Sequence, residues 1–348
     1  MKLKSPKLTW RTRRRLKTAG IILGSGLALG LLVWLCWVLW LGRFVVYSRD
    51  AVRLDFDWQT PGSYVAALPP ETPTVSIVYD DGSETVVQRN QERTQLNGCY
   101  ITAQMLIDDI AGVDALIREL PKGTAIMLEL KNGSGTFYYD TELPRASVSS
   151  KIDKAAMKSL LSYLAKADYY TIAKIPAFRD RAYGLKNVPQ GIYHVNKKGL
   201  WPDNNNCYWL NPTNPTVLSY ISSIVQELKE MDFDEVLLAD FSVPVSDKVY
   251  FKEDRTEALK NAANTIIESC GSEYFTISFG VTSSTFPLPE GRTRMYLSGV
   301  EAQNVGAVIA QSKVENAEIR IVFLADTNDT RYDEYGVMRP LTMAPSKK

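Results

Sequence analysis

Three carboxylates close apolar, β-type runs in this chain: Glu129 in AIMLELK, Asp240 in EVLLADFS and Asp326 in IVFLADTN. A carboxyl group at the end of a buried strand can deliver a proton, accept one or attack carbon. Cleavage of a glycosidic bond uses two of them, about 5–9 Å apart. Glu129, Asp240 and Asp326 are the candidate catalytic residues, and no sequence rule fixes the distances among them. Structural roles compete: an ion pair with Lys131 or Lys174 for Glu129, a helix cap or loop brace for Asp240. Other chemistries lack their residues. His194 is the single histidine, which argues against a His-based triad and against a multi-His metal site. Cys99, Cys207 and Cys270 have no metal-ligand spacing and read as buried small hydrophobes, with one adventitious disulfide as the alternative. No metal and no cofactor are expected, and a metal-dependent deacetylase is disfavoured.

Other residues suit binding. The segment GIYHVNKKGLWPDNNNCYWLNPTN sets Tyr193, Trp201, Tyr208 and Trp209 beside the amides of Asn204, Asn205, Asn206 and Asn211. Sugars present apolar C–H faces edged by hydroxyls, which flat rings and amides match. The competing roles are interior filling for Trp209 and loop stapling for Trp201. In TIAKIPAFRD, Lys174 interrupts an apolar strand and must be paired or solvated. Arg179 and Asp180 after it read as surface charges. The candidate substrate-binding set is Tyr100, Lys131, Lys174, Trp201, Tyr208, Trp209 and Asn211.

Something must position these groups. From about Asn97, short β-type runs alternate with amphipathic helical stretches. The strands read as Gly98–Ile101, Ala125–Leu130, Tyr170–Ile175, Cys207–Leu210, Glu235–Asp240, Tyr274–Phe279, Gly306–Ala310 and Glu318–Leu324. Helices fall at Ala103–Leu120, Lys154–Ala167, Pro215–Met231 and Arg255–Cys270. Eight strands separated by helices predict an α/β fold of the (β/α)8 TIM-barrel type, with its site at the C-terminal ends of the strands. The alternative, an open doubly wound sheet, lacks a glycine-rich loop after the first strand. Alternation puts Ile126, Leu128 and Leu130 toward the helices, and Glu129 and Lys131 toward the barrel mouth.

The N-terminal part differs in kind. Eight basic residues and no acidic one precede the uncharged run from Ala19 to Gly42. That run exceeds the roughly 20 apolar residues that cross a bilayer. Trp34, Trp37 and Trp40 crowd its outer end. A cleaved signal peptide would need a small-residue site, and Val38 to Leu41 is a poor one. A lipoprotein signal at Cys36 is opposed by the bulk of Trp34 and Leu35. The expected organisation is a cytoplasmic basic tail (1–19), a single-pass membrane anchor (20–42) and a stalk with a short β-hairpin (43–95, hairpin at 74–90). An extracytoplasmic barrel (96–330) and a C-terminal tail (331–348) follow. The net charge is +1, but without the basic tail the remainder is mildly acidic, so no nucleic-acid partner is expected.

The blocks Gly98-Cys99-Tyr100-Ile101, MLELKNGSG (127–135), IAKIPAFRD (172–180), GLWPDNNNCYWLNPTNP (199–215) and FDEVLLADFSVP (233–244) resemble a family of glycoside hydrolase domains of bacterial cell-envelope proteins. The resemblance covers roughly residues 98–281, and the family is similar to α-amylase-like barrels. It implies a TIM barrel and action on a polysaccharide. The chain departs from the family pattern where acids are expected. Ala239 stands at the position of the aspartate after the fifth strand, Ser242 at that of an arginine and Asn211 at that of another aspartate. Asp240 comes one residue late, which would turn it to the other face unless a bulge intervenes. Glu129, Lys131, Trp201 and Trp209 keep the pattern. Two functions are expected: a membrane-anchored hydrolase of an envelope polysaccharide, or a degenerate barrel that binds polysaccharide or scaffolds envelope proteins without cleavage.

Overall fold

The computed structural model describes residues 95–343 other than 145, together with residues 30, 33, 34, 45–48 and 51–54. The chain divides into two units, Met1–Ser83 and Glu84–Lys348. In the first, Gly30, Val33 and Trp34 are helical, and Val45–Ser48 pairs antiparallel with Ala51–Leu54 inside the stretch read as a stalk. The basic tail, the anchor apart from those three residues, and the hairpin expected at 74–90 lie outside the described residues. Among the described residues no helix is long and apolar enough to cross a membrane.

The second unit holds a closed barrel of eight parallel strands in sequential order. They are β1 (Asn97–Ile101), β2 (Ala125–Glu129), β3 (Tyr170–Pro176), β4 (Glu235–Ala239), β5 (Thr276–Val281), β6 (Met295–Ser298), β7 (Ile321–Leu324) and β8 (Gly336–Pro340). Helices α1 (Ala103–Arg118), α2 (Lys154–Leu164), α3 (Arg181–Lys186), α4 (Pro215–Glu230), α5 (Arg255–Cys270), α6 (Val305–Ser312) and α7 (Ala317–Arg320) lie between them in sequence. β8 pairs with β1, Val337 opposite Asn97, and closes the ring.

Strand alternation sorts the side chains into two layers. Cys99, Ile101, Ile126, Leu128, Ala173, Ile175, Val236 and Leu238 join the core under the helices. Ala125, Met127, Ile172, Leu237, Tyr296, Val322 and Met338 fill the barrel. The N-terminal half of that interior also holds charge. Glu235 accepts from Tyr296 Oη at 2.7 Å and Tyr170 Oη at 2.9 Å, and it pairs with the Arg294 guanidinium. Arg294 also donates to the Ile319 carbonyl at 3.1 Å. β1 approaches β2 so closely at Gly98 that an added Cβ would fall inside contact distance of the Ala125 carbonyl oxygen. Gly98→Ala is therefore expected to cost about 1–3 kcal/mol through overpacking, read as a lower urea midpoint at unchanged m.

Two expected strands are not barrel strands. Cys207–Leu210 makes single bridges only, Tyr208 to Pro202, Trp209 to Arg179 and Leu210 to Gly191. Gly306–Ala310 is part of helix α6; five apolar residues are too few to reveal their period. Their places are taken by β6 and β8. β8 lies in the stretch expected to be a tail, so the barrel runs past residue 330 to Pro340. Cys99, Cys207 and Cys270 are free and buried, as the sequence predicts.

Candidate active site

β3 and β4 are neighbours, and the segments that follow them build one side of the mouth. Arg179, just past β3, donates from Nε to Asp203 Oδ2 at 2.6 Å. Its Nη1 lies 4.0 Å from Asp240 Oδ2. One guanidinium thus stands between two aspartates. Asp203 is held from behind: Oδ1 accepts the Asn205 and Cys207 amides, each at 2.9 Å, and Oδ2 takes Trp209 Nε1 at 3.3 Å. Burial would raise the Asp203 carboxyl, but the Cys207 amide, Arg179 and the Asn205 amide together draw it below its ordinary range.

Asp240 owes its place to backbone geometry. β4 ends at Ala239, and Asp240 takes φ +50°. Left-handed backbone costs a non-glycine residue about 1–2 kcal/mol, and aspartate is among the residues that visit it. The step sends Phe241 into an aromatic cluster with Phe178, Phe279 and Phe286, while its N–H reaches the Gly280 carbonyl at 3.0 Å. The Asp240 side chain is turned toward Arg179 and stays 37% exposed. Asp240 is not packed among the outer helices. Burial pushes its carboxyl above the usual range, with Arg179 and Lys174 pulling the other way.

Glu129 ends β2. Its Oε2 accepts the Ala103 amide at 3.0 Å, at the start of α1. Its Oε1 lies 3.6 Å from Nζ of Lys174, its register partner in β3. The lone charge of β3 is paired in this way. On β1, Tyr100 Oη donates to Oδ1 of the exposed Asp326 at 2.5 Å; burial and Asp326 push that phenol up. Tyr100, Glu129 and Lys174 therefore come from three consecutive strands, β1 to β3, and Asp240 from the residue just past β4.

Three expectations are corrected. Lys131 does not face the mouth. The chain leaves the barrel after Glu129, and Lys131 is fully buried in an ion pair with Asp180 at 2.7 Å. Asp180 is correspondingly no surface charge: it caps α3 through the Tyr183 amide at 2.8 Å and accepts from Tyr220 Oη on α4 at 2.9 Å. Nor is Arg179 a plain surface cation. Much of the aromatic and amide segment serves as loop scaffold. Trp201 packs on the cluster of Ile192, Val243 and Val249. Trp209 braces Asp203 rather than filling the barrel. Asn211 spends its carbonyl on Thr213, at 3.0 Å to N and 2.9 Å to Oγ1. Asn204, Asn205 and Asn206 are the exposed tip of a turn closed by Asp203 and Cys207. Tyr208 is half-buried, and its carbonyl accepts the Asp180 amide at 3.0 Å. Sequence reasoning missed the central role of Arg179 and Asp203; the one available signal was that Arg179 follows the end of a strand.

No curated protein matches the chain. Among solved structures, it is similar to a hypothetical protein from Ruminiclostridium thermocellum at 20% identity and TM-score 0.46, over 52% of this chain and 96% of that one. It is similar to the glycoside hydrolase domain of PgaB (BpsB) from Bordetella bronchiseptica at 10% identity and TM-score 0.48, over 70% and 93%. The likeness to an exo-β-N-acetylglucosaminidase from Vibrio harveyi is 8% identity and TM-score 0.47, over 73% of this chain and 51% of that enzyme; the match spans about half of that enzyme's length. The family model described as "Putative glycosyl hydrolase domain" matches residues 98–271, half of the chain. The chain belongs to that glycosyl hydrolase domain family.

Proposed function

We propose that this protein cleaves a glycosidic bond of a cell-envelope polysaccharide at the mouth of the barrel. Asp240 is the proton donor and Glu129 the partnering carboxylate, with Asp326 as a third acid at the rim. Tyr100, Lys174 and Tyr208 contact the saccharide. The observation that carries the reading is the left-handed step at Asp240, which keeps its carboxyl beside Arg179 with a raised proton affinity. A carboxyl that holds its proton is what acid-assisted glycoside cleavage requires of its donor. β3 separates β2 from β4, so at about 4.8 Å per strand the two acids leave strand ends roughly 10 Å apart. Residues 20–42 would hold the barrel to the outer membrane surface, as the basic tail and apolar run suggest.

One observation favours the second reading, a barrel that binds without cleaving: both Glu129 oxygens and one of Asp326 already have partners. The test is release of reducing ends from a panel of cell-wall glycans by the full-length protein in detergent. The hydrolase reading expects release that Glu129→Gln abolishes. Binding without release supports the second reading, and neither binding nor release overturns both.

A further inference from the structure

The excursions after β3 and β4 meet in a small antiparallel ladder, Tyr193–His194 against Val249–Tyr250. Val195 N–H extends it to the Lys248 carbonyl at 2.7 Å. A tight turn follows, closed by His194 N–H to the Gly199 carbonyl at 2.9 Å and Lys197 N–H to the His194 carbonyl at 2.7 Å. At its tip Lys197 takes φ +56°. A lysine there bears a strain that glycine would not. The strained residue carries its ammonium to 4.4 Å from the centre of the Tyr250 ring, and Lys252 brings a second to 5.7 Å from the same ring. Lys198 and Lys248 are exposed beside them in sequence.

Four ammonium groups in these two short segments repel one another, and among the described residues none forms an ion pair. The acids close to them in sequence are used locally or left in solvent. Asp254 caps α5 through the Glu257 amide at 2.8 Å, Asp247 accepts from Ser246 Oγ at 3.3 Å, and Glu253 is exposed. Lys252 and Lys197 together hold the Tyr250 phenol below its ordinary range. In a domain that is otherwise mildly acidic, this is a local excess of positive charge ordered around one aromatic ring. It stands on the same rim as the mouth, because both excursions leave C-terminal strand ends.

We propose that Lys197 and Lys252, ordered on Tyr250, form a subsite for the anionic groups of an acidic polysaccharide, carboxylate or phosphate. Lys198 and Lys248 add attraction at longer range. The inference rests on the hydrolase-domain reading for its saccharide, and it names the substrate as charged. An anion bridging two ammonium groups relieves their repulsion and gains two charge-assisted hydrogen bonds, and salt weakens such binding.

The experiment is affinity electrophoresis of the full-length protein in detergent through gels containing polygalacturonate, phosphomannan or neutral dextran. Retardation by one or both acidic glycans and none by dextran is expected, and the two acidic gels tell carboxylate from phosphate. The variants Lys197→Gly and Lys252→Ala, combined, are expected to weaken retardation at least tenfold; Lys197→Gly relieves the backbone strain, so folding is preserved. Asp240→Asn is expected to retain full binding, which separates this subsite from the chemistry: lost cleavage with intact binding leaves the proposal standing. Equal retardation by dextran, no retardation by either acidic glycan, an unaffected double variant, or equal retention by a DNA oligonucleotide of matched charge would each overturn it.

Discussion

Arg294→Met is expected to destabilise the barrel by about 3–5 kcal/mol, the cost of stranding one partner of a buried ion pair. Glu235 and Arg294 are 0% and 2% exposed. Without the guanidinium, the Glu235 carboxylate keeps only the phenols of Tyr170 and Tyr296, and these stay protonated donors because burial and Glu235 push them up. Glu235→Leu combined with Arg294→Met is expected to recover part of the loss, since an apolar pair of similar volume has no charge to desolvate. Tyr170 Oη keeps Thr276 Oγ1 as acceptor at 3.3 Å, and the Tyr296 phenol left without one would leave a residual of about 1–3 kcal/mol. Urea unfolding of the three proteins measures this. A double variant no better than Arg294→Met would show that the cluster acts through shape rather than charge. The cluster lies at the N-terminal end of the strands, so surviving variants are expected to keep any activity of the mouth.

The second large effect is chemical. If Asp240 is the proton donor, Asp240→Asn lowers kcat by about 10²–10⁴, the usual worth of a positioned general acid. The pH dependence has a definite sign. Burial raises the Asp240 pKa despite Arg179 and Lys174, so the acid form persists to higher pH than in an ordinary aspartate. Turnover should fall as pH rises through that raised value, and Asp240→Asn should remove this limb. The same shift acts on stability. A carboxyl whose folded pKa exceeds its unfolded one stabilises fully below the unfolded value, and the contribution is lost as pH rises through the folded one. Asparagine carries no such loss and accepts the left-handed backbone at φ +50°. At neutral pH Asp240→Asn is therefore expected to unfold at the same or a higher temperature than the parent while losing turnover. Undiminished turnover removes Asp240 from the mechanism.

Much of the ring was legible because strands β1 to β5 are apolar runs whose inward and outward residues alternate, and α4 repeats at 3.6. The reading went astray where short runs met competing signals. α6 contains GAVIA, whose branched and small residues mimic a strand. β6 has four residues, and Arg294 just before it is an inward charge that no hydrophobic pattern anticipates. β8 begins with Gly336 and ends with Arg339 and Pro340, residues that mark loops when met singly. The rule that candidate groups gather at strand C-termini drew attention to Glu129, Asp240 and Asp326, which lie at or just past the ends of β2, β4 and β7. It failed for Lys131, because one residue beyond a strand end is no longer governed by the pleat. Arg179 and Asp203 were beyond reach for another reason: they are 24 positions apart, with a short helix and a two-residue strand between them, and only the folded excursion brings them together.

The seam between β1 and β8 sets the order in which the protein can be completed. Residues 97–101 wait with an unpaired flank while the intervening chain is made, and their partner at 336–340 is the last barrel strand to emerge. Until then the nascent sheet carries two raw margins of the kind that pair with strangers. A ribosome stalled shortly before Gly336 would thus release not a slightly shorter hydrolase domain but an unsealed and adhesive one.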